Sequence, residues 1–370
     1  MDEKKRPKIK IVYIMPTLAR GGAEKFLTDL LLHLDRRTYD PTLILFKSGG
    51  PWLTESTTAG VPVIVLEKKY RVDPGNFWRL ITILRRIKPT IVHTQLGGDL
   101  YGRLAAKLLG VPVILSTEQN VNPDEKWLTN ILKRWTGAWA DRIIAISRAV
   151  KTDLRQRYRV PESKIVIIPN GLDPAAFPPR PAAVKSGSSA TLGTLGRLVP
   201  QKGHSVLIQA LARIKHTNWQ CQIAGEGPLR DELQRQIEAA GLAERVSLVG
   251  AVTDPAAFLS RLDIFILPSL WEGQGLVLLE AGLTGCPVIA SEVDGIKELV
   301  TEETGHPVPA GDPAALAARI DDLLADLNGP TQWDRTRRLR ELISADYDIQ
   351  KIAALYQDLY QELLTAKGLI

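Results

Sequence analysis

The sequence is poor in cysteine and has no long apolar run. Only Cys221 and Cys286 occur among its 370 residues, far apart and without histidines at metal-ligand spacing. This argues against a disulfide framework and a structural zinc site, and it favours a reducing compartment. The apolar run from Ile11 to Met15 is too short for a signal-peptide core. No stretch approaches the roughly 18 apolar residues of a membrane span. We therefore expect a cytoplasmic protein.

The charges are unevenly distributed. Residues 1–180 contain 30 Lys and Arg against 17 Asp and Glu, a net charge of +13, whereas residues 181–370 contain 17 against 24, a net charge of −7. Such asymmetry suggests that one domain faces an anionic partner. A membrane surface, a phosphorylated substrate or a nucleic acid would satisfy this charge. Because the chain has no recognisable nucleic-acid docking motif, we expect no nucleic-acid partner.

Short apolar runs alternate with amphipathic stretches, and the alternation is interrupted once. Over 1–178 it predicts seven strands joined by helices, which indicates a parallel sheet covered on both faces. A proline cluster followed by a Ser/Gly-rich stretch predicts a linker at 179–189. The alternation resumes over 190–345, so we predict an α/β protein with two doubly wound domains. The last stretch, 349–370, has helical period and comes too late for the second sheet.

The segment 268–281 is the most informative for chemistry. It follows a strand, carries Gly273 and Gly275 in a loop, and then enters a helix. Glycines before a helix let backbone amides approach a ligand, and the helix N-terminus adds partial positive charge, so we expect an anionic diphosphate there. Glu272 and Glu280 would meet different parts of an elongated ligand as acceptors of sugar hydroxyls. A capped helix with two solvated glutamates is the alternative.

A second segment, Thr194–Gly203, follows the first strand of the second domain. Arg197 and Lys202 flank a proline-containing turn, where both could converge on phosphate oxygens. Open α/β sheets bind ligands at the carboxyl ends of their strands, so this loop and the Glu272 loop could share one crevice. Taken without the Glu272 loop, the segment would be better explained by solvated surface charge.

A third segment, Pro16–Glu24, follows the first strand of the first domain. Gly21 and Gly22 could form a loop that a ligand approaches closely, although a simple turn explains two glycines almost equally well. The segment is not the G-x-G-x-x-G fingerprint of dinucleotide-binding folds.

These segments, in this order, resemble glycosyltransferase family 4, and the resemblance covers nearly the whole chain. The motifs that carry it are the Gly-Gly loop, Ile91–Thr94, Ala140–Ser147, Ile168–Asp173, Gly196-Arg197 with Lys202, Ala224–Pro228, Glu272 and Glu280 with seven residues between them, Gly285–Ile289 and Gly295–Glu298. The resemblance implies the GT-B fold, in which two Rossmann-like domains face each other across a cleft. It also implies that helix 349–370 crosses back to the first domain.

The resemblance further implies a retaining, metal-independent hexosyltransferase. The donor would be a UDP- or GDP-sugar, with no further cofactor, and the acceptor a hydroxyl of a glycan or lipid-linked molecule in cell-surface polysaccharide or glycolipid synthesis. The favoured mechanism in the family is front-face attack, in which the donor phosphate assists deprotonation of the acceptor.

Site residues follow by position in the motifs. Arg197 and Lys202 match the pair that neutralises the donor diphosphate. Glu272 matches the glutamate near the transferred sugar, and Glu280 matches the one that holds the ribose hydroxyls. The other implied substrate-binding positions are Gly21, Gly22, Val252, Gly273, Gln274, Gly275 and Leu276.

One position departs from the family pattern. The segment Ser116–Asn120 often reads Thr-Glu-His-Asn in the family, but here Gln119 stands in place of the histidine. A glutamine hydrogen-bonds sugar hydroxyls but cannot titrate near neutrality. His93, within the motif Ile91–Thr94, is the nearest histidine among the family motifs. It is a candidate substrate-binding residue, although a buried structural role is favoured. Gln119 also leaves open a non-catalytic sugar-nucleotide-binding subunit, and a GT-B-fold epimerase is a further alternative.

Five of the eight tryptophans lie in the basic first half. In 126–139, Trp127, Trp135 and other apolar residues recur near helical period beside Lys126, Lys133 and Arg134, and the stretch around 77–86 is similar. Basic amphipathic helices with tryptophan lie on anionic membranes. The alternative is a helix packed on the sheet with a solvated basic face. An anionic membrane is therefore a candidate partner, with peripheral localisation at the inner face of the cytoplasmic membrane.

Overall fold

The computed structural model describes residues 7–370 apart from 20, 48, 51, 59, 69, 71–72, 122, 124, 126, 180–188 and 328. The chain divides into two compact units. Unit 1 comprises Met1–Gly171 and Ile349–Ile370, and unit 2 comprises Leu172–Asp348. The division therefore falls seven residues before the end of the first domain expected from the sequence, at 178. Most of the predicted linker 179–189 lies outside the described residues.

The described part of unit 1 forms a seven-stranded parallel sheet with the order β3-β2-β1-β4-β5-β6-β7. The strands are β1 (Ile9–Met15), β2 (Tyr39–Leu45), β3 (Val63–Val65), β4 (Ile91–Gln95), β5 (Val113–Glu118), β6 (Arg142–Ala145) and β7 (Ile165–Ile167). The helices are α1 (Gly22–His33), α2 (Leu53–Thr58), α3 (Pro74–Ile87), α4 (Asp99–Leu108), α5 (Trp127–Gly137), α6 (Arg148–Gln156) and α13 (Ile349–Ala366). The sequence predicts strands at 9–15, 41–46, 61–66, 90–93, 111–116, 142–146 and 164–169, and each appears with its ends shifted by at most two residues.

The central strand β1 shows why continuous apolar runs form this sheet. Successive side chains of a strand point to opposite faces, so a strand covered on both faces must be apolar at every position. Tyr13 and Met15 pack in a cluster with residues of α1 and α13. Val12 and Ile14 pack in a second cluster, with residues of α3 and α4. The sheet is therefore buried between two layers of helices.

The described part of unit 2 forms a six-stranded parallel sheet with the order β10-β9-β8-β11-β12-β13. The strands are β8 (Ala190–Leu195), β9 (Trp219–Ala224), β10 (Val246–Gly250), β11 (Ile264–Leu267), β12 (Val288–Ser291) and β13 (His306–Val308). The helices are α7 (His204–Leu211), α8 (Arg230–Ala239), α9 (Pro255–Leu259), α10 (Leu276–Leu283), α11 (Pro313–Ala325) and α12 (Pro330–Asp346). Strand β13 was not predicted, because three residues that include Pro307 show no periodicity.

The C-terminal helix α13 lies in unit 1, where it contacts α1. Its buried face is centred on Tyr356 and Tyr360, and the ring centroids of Tyr356 and Phe26 of α1 are 5.9 Å apart. The sequence predicts an apolar stripe of Ile352, Leu355, Leu359 and Leu363 at helical spacing, but Leu355 is 40% exposed while the other three are buried. The stripe is rotated because the two tyrosines combine apolar rings with hydroxyls that the sheet can bind.

Candidate active site

The two segments that carry Arg197 and Glu272 follow neighbouring strands of unit 2. The sheet order places β8 beside β11, yet the chain continues from β8 to β9 on one side and reaches β11 only after β10. The connections therefore reverse direction between β8 and β11. In open α/β sheets, a ligand binds at the carboxyl ends of the strands at such a switch point. Both loops begin at these ends.

The two loops are joined by an ion pair. Lys202 Nζ lies 2.5 Å from Glu272 Oε1, and the hydroxyl of Ser269 donates a hydrogen bond of 2.7 Å to the same oxygen. Gln201 Nε2 donates to the carbonyl of Trp271 at 3.1 Å. The side chains of Lys202 and Glu272 are 15% and 6% exposed. The carboxylate is thus held in one orientation, with its charge balanced by the lysine.

Close backbone approach explains the glycine that follows Lys202. Gly203 has φ +63°, and a Cβ there would lie 2.0 Å from the carbonyl oxygen of Pro268. The amide of Leu270 donates to the carbonyl of Gln201 at 2.8 Å. Only a residue without a side chain lets the two loops pack at this distance. Gly203 therefore fixes the position from which Lys202 reaches Glu272.

Helix α10 begins directly after the Glu272 loop. Its N-cap is Gly275, with φ +69° and no side-chain cap hydrogen bond. The first turn therefore presents backbone N–H groups and the positive end of the helix dipole. Gln274 is buried, whereas Leu276 and Glu280 are half-buried. Glu280 occupies the fifth position of α10, so it lies more than one turn beyond Glu272, as the sequence predicted.

Arg197 and Val252 lie at other points of the same sheet edge. Arg197 is exposed, and among the described residues its guanidinium forms no ion pair. Val252 follows β10, is half-buried and packs against an apolar cluster that includes residues of α9 and α10. The structure thus brings Lys202 and Glu272 into contact, leaves Arg197 open to solvent, and holds Val252 by apolar packing.

Sequence reasoning did not single out His204, the residue after Gly203. It is 2% exposed, and its ring nitrogens have no hydrogen-bond partner among the described residues. Burial, together with the charge of Lys202, lowers the pKa of His204 to about 4, so the ring is neutral at pH 7. Its place two residues after Lys202, a predicted phosphate ligand, is the one sequence signal that could have identified it.

In unit 1, the predicted Gly-Gly loop opens α1 at the carboxyl end of β1. Gly21 is the N-cap of α1 in extended conformation, and Gly22 is its first residue and exposed. A Cβ on Gly21 would approach the carboxylate of Glu24 to 2.3 Å. The contact involves the end of a flexible side chain, so the structure does not require glycine at 21 for local packing.

His93 lies in the interior of unit 1, where both of its ring nitrogens are hydrogen-bonded. Nδ1 is 2.8 Å from the hydroxyl of Tyr360 in α13, and Nε2 is 2.8 Å from the hydroxyl of Thr117 in β5. Burial lowers the pKa of His93 to about 3. With no exposed surface and both nitrogens occupied, His93 can influence a ligand only through its neighbours.

Gln119 belongs to a row of buried amides at the carboxyl ends of the strands of unit 1. Its Nε2 donates to Gln95 Oε1 at 3.3 Å, and its Oε1 accepts from Asn170 Nδ2 at 2.7 Å. Gln95 ends β4, whereas Asn170 follows β7. Sequence reasoning missed Gln95 and Asn170 as neighbours of Gln119, because their contact depends on strand order. The row is polar but uncharged.

Three further features of the described residues bear on the sequence predictions. Cys221 and Cys286 are both free and buried. In the part of the chain that the structure describes, no group of three or more His, Cys, Asp and Glu residues is placed to hold a metal ion. Within the same residues, no helix combines the length and the apolar character that crossing a membrane requires.

Comparisons with known proteins identify the family. A family model described as Glycosyltransferase Family 4 matches residues 20–176, and one described as Glycosyl transferases group 1 matches residues 189–326. The Escherichia coli UDP-Gal:alpha-D-GlcNAc-diphosphoundecaprenol alpha-1,3-galactosyltransferase is 28% identical over 97% of this chain and 98% of its own length. The phosphatidyl-myo-inositol mannosyltransferase of Mycobacterium leprae is 33% identical over 62% of each chain.

Solved structures agree on the fold. The Anabaena protein HepE, crystallised with UDP and glucose, has a TM-score of 0.85 and 22% sequence identity, over 96% of this chain and 100% of its own. One family model matches residues that lie almost entirely in unit 1, ending five residues into unit 2, and the other matches residues within unit 2. The chain is therefore a glycosyltransferase of family 4 with the GT-B fold, built from two parallel-sheet Rossmann-like units.

Proposed function

We propose that this glycosyltransferase moves a hexose-type sugar from a UDP- or GDP-sugar to a hydroxyl of a lipid-linked or glycan acceptor, with retention of configuration. The process would be cell-surface polysaccharide or glycolipid synthesis. The observation that carries the proposal is the Lys202–Glu272 ion pair at the switch point of unit 2, with the exposed Arg197 at the same edge of the sheet. Two cations and a carboxylate suit a ligand that joins a diphosphate to a sugar.

The donor diphosphate would be bound by Arg197, Lys202 and the first turn of α10. Each charge-assisted contact contributes about 1.5–3 kcal/mol. Lys202 would bridge the diphosphate and Glu272, and Glu272 would thereby be placed near the transferred sugar. Glu280, more than one turn further into α10, would accept the ribose hydroxyls. UDP is the favoured nucleotide, because the E. coli relative is named for UDP-Gal and the HepE structure holds UDP.

Retention would follow from front-face attack. The acceptor oxygen bonds to the anomeric carbon on the face that the diphosphate leaves, and a phosphate oxygen takes the acceptor proton as the carbon–oxygen bond breaks. Arg197 and Lys202 would stabilise the charge that develops on the leaving diphosphate. Glu272 is poorly suited as a covalent nucleophile, because one oxygen already accepts hydrogen bonds from Lys202 and Ser269. It would instead orient the lysine and the sugar.

Metal-independent transfer is part of the proposal. Two cationic side chains and a helix N-terminus would supply the positive charge that a metal ion provides in other transferases. The one Asp-x-Asp sequence of the chain, Asp346-Tyr347-Asp348, lies at the junction of α12 and α13 and not in a loop that follows a strand of unit 2. Its position therefore does not suit the holding of a metal-bound diphosphate.

The lipid-linked acceptor and the membrane are supported by the relatives and by charge. The E. coli relative is named for a diphosphoundecaprenol acceptor and the M. leprae relative for phosphatidyl-myo-inositol. Residues 1–180 carry a net charge of +13, which suits an anionic surface. We infer that the protein works at the inner face of the cytoplasmic membrane. In unit 1, the amides around Gln119 would hydrogen-bond sugar hydroxyls without exchanging protons.

A donor screen tests the proposal. UDP-glucose, UDP-galactose, UDP-N-acetylglucosamine and GDP-mannose are offered in turn, with and without EDTA, and nucleotide binding is followed by calorimetry and nucleotide release by a coupled assay. We expect one donor to bind and to release its nucleotide in the presence of an acceptor lipid, with EDTA present. The anomeric configuration of the product is then read by NMR spectroscopy.

Each failure has a distinct signature. Activity that EDTA abolishes and manganese restores would contradict metal independence. Binding without release from any donor would favour the non-catalytic subunit suggested by Gln119. Isomerised sugar nucleotide without a transfer product would favour an epimerase. An inverted product would contradict front-face attack.

A further inference from the structure

Helix α5 exposes its apolar residues. Trp127 and Trp135 are 72% and 71% exposed, and the helix also exposes Leu128, Ile131 and Leu132. The residues that it buries are Thr136 and Gly137. A helix that packs on a core normally does the reverse. At 100° per residue, the five exposed apolar side chains fall within about 140° of the helix circumference, so they form one face. We call these five residues the α5 face.

The opposite side of α5 is fixed to unit 1 by polar contacts. Lys133 Nζ lies 3.1 Å from Glu125 Oε1 and 3.5 Å from Glu118 Oε2. It also lies 5.1 Å from the centre of the Tyr158 ring, a cation–π contact. Arg103 of α4 donates to Thr136 at 3.5 Å. These anchors turn the α5 face outward.

Helix α3 shows the ordinary arrangement in the same unit. It buries Leu80, Ile81 and Leu84 against the sheet and exposes Arg85 and Arg86. The sequence predicted the same alternatives for both helices: membrane contact, or packing on the sheet with a solvated basic face. The second alternative describes α3, and the outward-facing tryptophans contradict it for α5.

We propose that the α5 face docks on an anionic lipid bilayer, with Trp127 and Trp135 in the headgroup region. Charge argues for this occupant: α5 has no acidic residue, it exposes Arg134, and it belongs to the basic half of the chain. Tryptophan combines an apolar ring with an N–H donor, which suits the interface between lipid and water. The proposal extends the proposed function by naming the surface that would present a lipid-linked acceptor.

The anchors of α5 connect the docked helix to the predicted acceptor side. Glu118, which pairs with Lys133, is the last residue of β5 and directly precedes Gln119. A bilayer bound to the outer side of α5 would therefore hold the carboxyl end of β5 in a fixed position relative to the lipid. This is the end of the strand at which Gln119 meets Gln95 and Asn170.

Vesicle flotation tests the proposal. The full chain is mixed with vesicles of phosphatidylcholine containing 30% phosphatidylglycerol, or of phosphatidylcholine alone, and the partition coefficient is measured. We expect the double variant Trp127→Ser/Trp135→Ser to lower binding to the anionic vesicles at least tenfold. Trp78→Ser, on the exposed side of α3, is the matched control and should bind as the unchanged protein does. A second variant, Leu128→Ser/Ile131→Ser, should also lose binding.

Several outcomes would overturn the proposal. Equal vesicle binding by the double variant and the unchanged protein would do so. Equal binding to vesicles with and without phosphatidylglycerol would do so as well. A concentration-dependent dimer in light scattering that the double variant abolishes would assign the α5 face to a second copy of the chain. Calorimetry with UDP and with GDP is run on every variant and separates this proposal from the proposed function. A protein that floats but binds neither nucleotide contradicts only the function, and one that binds a nucleotide but does not float contradicts only the docking.

Discussion

The carboxyl ends of the strands differ sharply between the two units. In unit 2 they carry charge: an exposed Arg197 and the Lys202–Glu272 pair. In unit 1 the corresponding edge carries the amides of Gln95 and Gln119, and the carboxylate next to them, Glu118, is buried and paired with Lys133 of α5. Both edges belong to parallel sheets of similar construction, so the fold does not decide the difference. Parallel sheets place loops at one edge, and the side chains in those loops decide the chemistry.

The difference between the two edges suggests which unit binds which substrate of the transferase. A diphosphate needs cations or helix N-termini, and unit 2 offers both. Neutral amides bind hydroxyls, which an acceptor or a sugar ring presents. His93 does not change this, because it is neutral and fully hydrogen-bonded inside the core. Unit 2 is therefore expected to control the donor, and unit 1 the orientation of hydroxyls.

The largest expected effect comes from removing the cations of unit 2. Arg197→Ala/Lys202→Ala should lose about 3–6 kcal/mol of diphosphate binding, or about 100-fold to 10,000-fold in UDP affinity, because each charge-assisted contact contributes about 1.5–3 kcal/mol. Calorimetry with UDP measures the affinity, and thermal unfolding checks the fold. Arg213→Ala, an exposed cation of the same unit, is the control. Unchanged UDP affinity in the double variant would contradict diphosphate binding at this edge of the sheet.

A smaller effect is expected from separating the two loops. Gly203→Ala places a Cβ against the carbonyl of Pro268 and should displace Lys202, lowering UDP affinity about tenfold or more by losing one charge-assisted contact. Gly241→Ala is a matched control, because Gly241 has a similar φ of +68° and no atom within 4 Å of the added Cβ. It should show only the backbone strain of about 1–2 kcal/mol. Equal loss of UDP affinity in both variants would contradict the argument.

The buried histidines should differ in what they contribute to stability. His93→Leu removes two hydrogen bonds with buried hydroxyls, those of Thr117 and Tyr360, and should lower the free energy of unfolding at pH 8 by about 1–3 kcal/mol. His204→Leu should cost less, since its ring nitrogens have no partner among the described residues. Urea unfolding of both variants measures the difference. A larger loss for His204→Leu would reverse the comparison.

The pH dependence of stability gives a second measure of His93. Its pKa is about 3 in the folded protein and about 6.5 when unfolded. Between these two pKa values the unfolded chain binds a proton that the folded chain does not. The contribution of His93 to the free energy of unfolding is therefore complete above pH 6.5 and is lost as the pH falls from 6.5 towards 3. The slope from this group reaches about 1.4 kcal/mol per pH unit. His93→Leu should remove that slope, and an unchanged slope between pH 4 and 6 would contradict the assignment.

The smallest expected effect concerns the amide that replaces the family histidine. Gln119→His introduces a group that titrates near neutrality. The transfer rate of this variant should therefore change between about pH 6 and 7 in a way that the rate of the unchanged protein does not. The rate at pH 8 should change less than tenfold if the role is positional. Gln119→Leu, which removes both hydrogen bonds, is the control and should lower transfer without changing UDP affinity. A Gln119→Leu variant with full transfer activity would exclude a positioning role.

Periodicity predicted most of the secondary structure. The apolar runs of the first half became β1 to β7 because strands covered on both faces must be apolar throughout. Strand β13 and helices α11 and α12 were not predicted. Yet α11 begins with Pro313 after Asp312, whose carboxylate accepts hydrogen bonds from two backbone amides of the first turn. That is a capping signal that the sequence does contain.

The sequence by itself determined the family, the two α/β parts and the loops that carry Arg197, Lys202 and Glu272, because these depend on residue types at short spacing. Only the tertiary structure decided which of these residues meet. The pairing of His93 with Tyr360 spans 267 positions, and that of Gln119 with Asn170 spans 51. The outward orientation of the α5 tryptophans was also decided there, because helical period gives the angles between side chains but not the direction in which the helix turns them. That direction was set by Lys133, through its ion pairs with Glu118 and Glu125.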